Sequence, residues 1–227
     1  MDFDGATDTG KHQTRESAMA QRFGETIVTR ERLRQIYRQP SHRVANKAID
    51  RIDHICRAFI AACPFVVVAT RGADGKLDLS PKGDPPGFIA VLNDKTLAIP
   101  ERLGNNRLDT FENVLVHPEV GLFLLIPGNG DTLRISGKGQ IVQDPELQEQ
   151  ASINNKAPSA LLVVTVEKAF MHCAKAVKRS RIWVPEFWPD RSAVPTLAEA
   201  MVVHGDLEET VPEMQAIIEK DSAERLY

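Results

Sequence analysis

Between residues 65 and 166 the chain alternates short, β-branched apolar runs with turn sequences, and this pattern limits the fold more than any other feature. The turns are Ala-Asp-Gly-Lys at 73–76, Asn-Asp-Lys at 93–95 and Pro-Gly-Asn-Gly at 127–130. Such short connections join antiparallel strands, because a parallel pair needs a crossover of about a dozen residues. The predicted strands lie at 65–70, 77–79, 87–92, 96–99, 120–126, 132–142 and 161–166. The pattern therefore predicts a mainly β, α+β fold built on an antiparallel sheet or barrel.

Helical patterns lie on both sides of these strands. The predicted helices lie at 27–38, 41–62, 105–116, 145–151 and around 172–183. Ser41 is the expected N-cap of the second helix. Two capping boxes, Thr196 with Glu199 and Thr210 with Glu213, predict a helical C-terminal region.

Composition excludes several classes of protein. The net charge of −3 gives no reason to expect nucleic acid or an anionic membrane as a partner. No apolar run approaches the ~20 residues of a membrane span, and the polar residues 1–23 predict a disordered tail without a signal peptide. Cys56, Cys63 and Cys173 form no CxxC pair, which favours a reduced, cytoplasmic protein. His172 and Cys173 have no second His/Cys cluster, so no metal site is predicted.

One segment has the residue types of an anion site. Residues 97–108 run from an apolar strand through a turn at Gly104 into a start of helix rich in amides and arginine. Main-chain N–H groups at a helix N-terminus, asparagine amides and an arginine fork all donate hydrogen bonds to a phosphate. The same residues also suit an ordinary turn in which Asn105 caps the helix and Arg107 is solvated.

Four motifs follow one another in a characteristic order. They are Ser-Pro-Lys-Gly-Asp-Pro-Pro-Gly-Phe at 80–88, Pro-Glu-Arg-Leu-Gly-Asn-Asn-Arg at 100–107, Thr-Leu-Arg-Ile-Ser-Gly at 132–137 and His-Cys-Ala-Lys-Ala-Val-Lys-Arg-Ser-Arg-Ile-Trp at 172–183. In this order they resemble the pyridoxamine 5′-phosphate oxidase-like FMN-binding proteins. More narrowly, they are similar to a branch of flavin-nucleotide-binding proteins distinct from the true oxidase. The resemblance covers roughly residues 27–188.

The resemblance implies a split β-barrel with helical decorations at both ends, which forms a homodimer with FMN in a groove between the subunits. Residues 24–227 are then expected to be a single flavin-binding domain with a helical extension from about residue 190. The implied cofactor-binding residues are Ser80, Lys82, Ile99, Pro100, Glu101, Arg102, Asn105, Asn106, Arg107, Arg134, Lys175, Arg179, Ser180 and Trp183. The first nine are expected beside the ring, the ribityl chain and the phosphate. Arg134 is expected at the ring edge or the phosphate, and the last four come from the second subunit.

Two of these positions also have ordinary interpretations. Arg134 lies in an alternating strand and suits a solvent-facing arginine, and Trp183 suits the core or a dimer interface. The sequence also departs from the true oxidase. Where the true oxidase has a basic phosphate clamp, this chain has Asn-Asn-Arg at 105–107. The oxidase's Arg-x-His substrate motif has no counterpart in this chain.

The resemblance therefore implies an FMN-dependent oxidoreductase that transfers hydride or electrons between a small organic substrate and the flavin. No catalytic side chain is identified, because in a flavoprotein the cofactor carries the redox chemistry. Three alternatives stay open: a non-catalytic protein that stores, carries or senses flavin, the same barrel binding a deazaflavin or heme, and a barrel with a vestigial pocket.

Overall fold

The computed structural model describes residues 24–227, so the tail predicted at residues 1–23 lies outside the described part of the chain. The chain divides into two units after Asn46. The first unit contains helices α1 at Arg30–Ile36 and α2 at His42–Ala45, and neither helix buries a residue. Thr29 caps α1, because its side-chain oxygen accepts a hydrogen bond from the main-chain nitrogen of Arg32 at 3.2 Å.

The second unit is built on a single sheet. Its strands are β1 at Phe65–Arg71, β2 at Leu77–Gly83, β3 at Ala90–Asn93, β4 at Thr96–Pro100, β5 at Glu119–Leu125, β6 at Thr132–Val142 and β7 at Leu161–His172. They pair in the order β2-β1-β5-β6-β7-β4-β3, and every neighbouring pair is antiparallel. The predicted α+β fold with an antiparallel sheet is confirmed, and the sheet is open rather than closed.

The helices of the second unit are α3 at His54–Ala61, α4 at Asp109–Val116, α5 at Pro145–Gln150, α6 at Lys175–Ser180, α7 at Leu197–Gly205 and α8 at Val211–Glu224. Two short 3₁₀ turns follow α6, at Pro185–Phe187 and Arg191–Ala193. Both predicted capping boxes are present at the starts of α7 and α8, with the threonine and glutamate bonds of each box formed.

The prediction of one long helix over residues 41–62 is wrong. The main chain of Ile49 instead pairs with Ala169 of β7, with N···O distances of 2.9 and 2.7 Å. A new helix then begins after Asp53, whose carboxylate accepts a hydrogen bond from the main-chain nitrogen of Cys56 at 2.9 Å. The bridge uses main-chain groups that a continuous helix would need, so the two arrangements exclude each other.

Other predicted boundaries shift because strands extend further than their apolar runs. Strand β2 continues through Gly83, so the Ser-Pro-Lys-Gly segment is paired strand rather than loop. Strand β7 continues to His172, and the helix predicted around 172–183 is confined to Lys175–Ser180.

The register of the sheet separates a core face from an outer face. One row of paired residues across neighbouring strands consists of Lys82, Val66, Leu124, Leu133 and Met171. The three central side chains of this row are fully buried. The adjacent row runs Pro81, Val67, Phe123, Arg134 and Phe170, and its side chains point to the other face because strand residues alternate. Lys82 and Arg134 therefore lie on opposite faces of the sheet.

The three cysteines of the chain are all free. Cys56 and Cys63 are buried and Cys173 is exposed. Burial, with a further contribution from the Asp53 carboxylate, raises the pKa of the Cys56 thiol to about 11. Across the described residues, every helix is too short or too polar to cross a bilayer.

Candidate functional site

The loop between β4 and α4 forms the wall of three neighbouring cavities. The central cavity, of about 370 Å³, lies between the end of β2 and the end of β4. The small cavity, of about 190 Å³, adjoins the start of α4, and the side cavity, of about 390 Å³, adjoins residues 156–159. Glu101 lines all three, so we take this loop as the centre of the candidate site.

Lys82 and Glu101 form an ion pair across the central cavity. The ammonium of Lys82 donates to both carboxylate oxygens, at 2.8 and 2.6 Å. The two side chains are only 16% and 22% exposed, so water screens the pair less than a surface pair. Lys82 thus presents a positive group to the cavity with its charge already matched by a carboxylate.

Arg102 and Asp84 form a second and more buried pair. The Nε of Arg102 donates to Asp84 at 2.7 Å, and its Nη2 donates to the main-chain oxygen of Ala151 at 2.8 Å. The Asp84 side chain is 2% exposed. The Arg102 guanidinium carbon also lies 5.8 Å from the centre of the Tyr227 ring. Burial, together with the Asp84 carboxylate, raises the pKa of Tyr227 above its ordinary value.

Arg107 belongs to a third pair, on the exposed side of the loop. Its Nε donates to Asp109 at 2.7 Å, and this hydrogen bond raises the pKa of the guanidinium above its ordinary value. The Arg107 side chain is 70% exposed. Its main-chain nitrogen donates to Oδ1 of Asn105 at 3.0 Å, so the asparagine stabilises the loop rather than capping the helix.

The helix predicted from residue 105 begins at Asp109, so its predicted start is wrong. Asn106 and Leu108 have φ values of 57° and 55°, which place both residues in the left-handed region and outside the helix. Leu108 is the N-cap of α4, and no side chain caps this end of the helix. The first N–H groups of α4 are therefore without a side-chain partner at the edge of the small cavity.

Two residues that line the small cavity have buried side-chain atoms without hydrogen-bond partners. Among residues 24–227, the buried side-chain atoms without a hydrogen bond are Asp78 Oδ2, Thr110 Oγ1 and Thr132 Oγ1. Asp78 and Thr110 both line the small cavity, whereas Thr132 lines none of the three cavities. Thr110 is 3% exposed and lies in the first turn of α4. A buried hydroxyl without a partner is costly, so an unpaired hydroxyl on a residue that lines a cavity favours a polar ligand there.

Eight of the fourteen residues expected to bind the cofactor line these cavities. They are Ser80, Lys82, Pro100, Glu101, Arg102, Asn105, Asn106 and Arg107. Ile99, at 1% exposure, belongs instead to the hydrophobic core. Arg134 lies on the outer face of β6, where its guanidinium carbon is 5.3 Å from the centre of the Phe170 ring.

The remaining four expected residues do not line any of these three cavities. Lys175, Arg179 and Ser180 belong to the short helix α6, and the Ser180 hydroxyl donates to the main-chain oxygen of Val177 at 3.1 Å. Trp183 donates from its ring nitrogen to the main-chain oxygen of Asn129 at 2.8 Å. Their role toward a cofactor bound by a second copy stays a prediction.

Several cavity residues were not expected from the sequence, among them Asp84, Asp78, Thr110 and Tyr227. Asp84 directly follows the Ser-Pro-Lys-Gly motif, and its position between that motif and two prolines is a usable signal. Asp78 and Thr110 resemble ordinary surface residues in the sequence, because their burial depends on how α4 packs against the sheet. Tyr227 has no local signal, because it reaches the site through the packing of the helical extension.

A sequence model of the pyridoxamine 5′-phosphate oxidase family matches residues 52–173, which is more than half of the chain. The chain belongs to this family. The matched region includes every strand and the whole loop around Glu101. The resemblance inferred from the four motifs is thereby confirmed, together with the open split-barrel fold.

Solved structures similar to this chain share little sequence with it. HupZ of Group A Streptococcus is 19% identical with a TM-score of 0.45, over 53% of this chain and 93% of that protein. General Stress Protein 26 of Bacillus anthracis is 15% identical with a TM-score of 0.40, over 51% and 88%. An FMN-binding protein of Syntrophomonas wolfei is 12% identical with a TM-score of 0.37, over 51% and 79%. No curated protein sequence matches the chain.

The buried pair beneath the central cavity gives a stability prediction. Asp84→Ala leaves the Arg102 guanidinium without its carboxylate in a mostly buried position, and we expect the free energy of unfolding to fall by about 3–5 kcal/mol. Asp94→Ala is the matched control, because the pair between Asp94 and Arg57 is exposed and is expected to contribute less than about 1 kcal/mol. Urea denaturation measures both variants, and equal losses would contradict a special role for the buried pair.

Proposed function

We propose that the protein binds FMN as its resident cofactor and acts as a flavin-dependent oxidoreductase on a small organic substrate. The observation that carries the proposal is the unpaired, buried hydroxyl of Thr110, a residue at the uncapped start of α4 that lines a cavity adjoining the central one. FMN has a planar ring at one end and a phosphate at the other. The two adjoining cavities suit these two ends, and family membership supports the same ligand.

The phosphate end of the ligand is assigned to the small cavity. The Thr110 hydroxyl and the first N–H groups of α4 are donors there, and the positive end of the helix dipole favours an anion. Arg107 adds a guanidinium at the rim, although Asp109 already holds it. Asp78 offers an unpaired carboxylate oxygen, which repels phosphate but accepts a hydrogen bond from a hydroxyl of the ribityl chain. The donor set therefore fits FMN if Asp78 faces the ribityl chain.

The ring end is assigned to the central cavity. Lys82 supplies an ammonium donor there, with its charge matched by Glu101 of the same cavity, so we assign it to a hydrogen bond with the ring edge. Phe88 and Pro100 supply apolar surface. Arg102 already bonds to Asp84 and Ala151, so we assign it to holding the loop in place rather than to a new hydrogen bond with the ring. When bound, FMN supplies the hydride or electron transfer, and these residues orient it and exclude water.

The absorption spectrum of the purified protein, with the mass of the released chromophore, tests the proposed cofactor. We expect one FMN per chain. A deazaflavin or heme released instead would overturn the FMN assignment, and so would a colourless protein that takes up no added FMN. Oxidation of NADH or NADPH by the FMN-loaded protein then distinguishes an oxidoreductase from a protein that only carries flavin.

Thr110→Val tests the assignment of the phosphate end. Valine keeps the shape of threonine but lacks the hydroxyl, so we expect the Kd for FMN to rise about tenfold, or about 1.4 kcal/mol. The Kd for riboflavin, which lacks the phosphate, should change less than about twofold. Thr132→Val is the matched control, because its unpaired hydroxyl is equally buried but lies outside the cavities. Fluorescence titration measures each Kd, and equal weakening for both flavins would contradict the assignment.

We further propose a homodimer that covers the outer face of the sheet. Leu77, Leu79 and Phe123 lie on this face, with exposed fractions of 80%, 68% and 40%. Strand β2 is also an edge strand. Exposed apolar side chains gathered on one face are typical of a protein interface, and a second copy of the chain would bury them.

Phe123→Asp tests this interface. A charge buried within this patch opposes association, so we expect the variant to be a monomer in sedimentation velocity while the wild type is a dimer. Val203→Asp is the control, because Val203 is 73% exposed and lies on helix α7 rather than on the sheet. A monomeric wild type, or a dimeric Phe123→Asp variant, would contradict the proposed interface.

A further inference from the structure

The segment that follows α8 enters the candidate site. This segment, Arg225–Tyr227, is called the latch below. Leu226 and Tyr227 line the central cavity, together with Ser80–Asp84 at the end of β2. Tyr227 also lines the side cavity, so this residue forms part of the wall of both cavities. A ligand that fills the central cavity must therefore contact or displace the latch.

Two contacts, with Lys156 and Arg102, hold Tyr227 in place, and the Asp84 carboxylate lies beside its side chain. The ammonium of Lys156 donates a hydrogen bond to the main-chain oxygen of Tyr227 at 2.6 Å. The Arg102 guanidinium carbon lies 5.8 Å from the centre of the ring, within the range of a cation–π contact. Arg102 is itself fixed by Asp84 and Ala151, so the ring rests on a rigid group.

The two contacts differ in what they restrain. Arg102 interacts with the ring, whereas Lys156 interacts only with the main chain and is itself exposed. One exposed hydrogen bond and one cation–π contact are individually weak, so the latch can open without unfolding the sheet.

The start of α8 is fixed more firmly than its end. The capping box of Thr210 and Glu213 satisfies the first main-chain donors of the helix, and Met214 is buried at 5% exposure. At the other end, Arg225 continues the helix through bonds to Asp221 from its main chain at 2.9 Å and its side chain at 3.0 Å. Leu226 and Tyr227, which follow Arg225, line the central cavity, so the latch extends from an anchored helix.

We propose that the latch closes the central cavity, so that the ligand enters and leaves only when Tyr227 moves out of the wall. This inference rests on the proposed function for the identity of the ligand, FMN, but the closed position of Tyr227 is independent of it. Tyr227 then controls the rate of exchange more than the affinity. Removal of its ring opens the path in both directions and takes away only one side of the binding surface.

Nitration by tetranitromethane tests the closed latch without any flavin. The chain has two tyrosines, and Tyr37, which is 61% exposed, is an internal reference. We expect Tyr227 to be nitrated at least about fivefold more slowly than Tyr37 in the wild type, as measured by peptide mass spectrometry. In Lys156→Ala the Tyr227 rate should rise toward that of Tyr37, while Lys138→Ala, at an exposed lysine on β6, should leave it unchanged.

The Lys156→Ala variant is decisive because Lys156 touches the main chain of Tyr227 and not its hydroxyl. The raised pKa of Tyr227, which burial and Asp84 cause, also slows nitration. Lys156→Ala changes neither the burial of Tyr227 nor its position beside Asp84 unless the latch opens. Equal nitration of both tyrosines in the wild type would overturn the latch. An unchanged Tyr227 rate in Lys156→Ala would also overturn it.

Stopped-flow mixing with FMN tests the control of exchange. We expect Tyr227→Ala to raise both the association and the dissociation rate constants about tenfold, with a change in Kd below about threefold. Lys156→Ala should shift both rates in the same direction by less, and Tyr227→Phe, which keeps the ring, should match the wild type. Wild-type rates in Tyr227→Ala, or fast rates in Tyr227→Phe, would overturn the role of the ring.

The two experiments separate failure of the latch from failure of the proposed function. If the wild type binds no FMN, the proposed function fails and the nitration result alone decides whether the latch is closed. If FMN binds and Thr110→Val weakens it, but Tyr227→Ala exchanges it at the wild-type rates, the proposed function stands and the latch is overturned.

Discussion

The buried pair of Arg102 and Asp84 holds together the parts of the candidate site. It joins the end of β2 to the loop after β4, and the same guanidinium bonds to Ala151 beyond α5. These three segments are distant in sequence and meet at a carboxylate that is 2% exposed. Because a single buried charge is far more costly than a matched pair, each partner fixes the other in place. The positions of Lys82, Glu101 and Tyr227 all depend on this junction.

The loop after that pair has an unfavourable backbone. Leu108 is a bulky residue in the left-handed region, a conformation that costs about 1–3 kcal/mol for residues other than glycine. Asn106 shares this conformation, but asparagine tolerates it better. The result is that α4 begins at Asp109, beside the small cavity, without a capping side chain. Sequence rules place the start of this helix at residue 105, because they recognise good caps and not a strained turn imposed by packing.

Local signals predicted the fold well. The turns at 73–76 and 127–130 set the hairpins, strand β6 has the predicted bounds Thr132–Val142, and both capping boxes formed as expected. Each of these features depends on residues within a few positions of one another. The break in the predicted helix at 41–62 depends instead on the pairing of Ile49 with Ala169, across 120 residues, since 169 − 49 = 120. No local pattern contains that information.

The same distinction applies to the candidate site. The motifs identified Lys82, Glu101 and Arg102 as residues of one site, but not which carboxylate would pair with which cation. They also missed two residues. The proposed role of Thr110 depends on its burial beside a cavity, and Tyr227 is far from the motifs in sequence. Family resemblance supplied the proposed ligand, and geometry supplied the contacts around it.

The three ion pairs at the site also affect how a charged ligand would approach it. Lys82, Arg102 and Arg107 each have a carboxylate partner, so these three pairs together carry no net charge. Long-range attraction depends on net charge, whereas short-range recognition depends on where each donor points. An anionic ligand would therefore meet little attraction at a distance and would be recognised only on contact. Its capture rate is then set by shape and access, and is nearly independent of ionic strength.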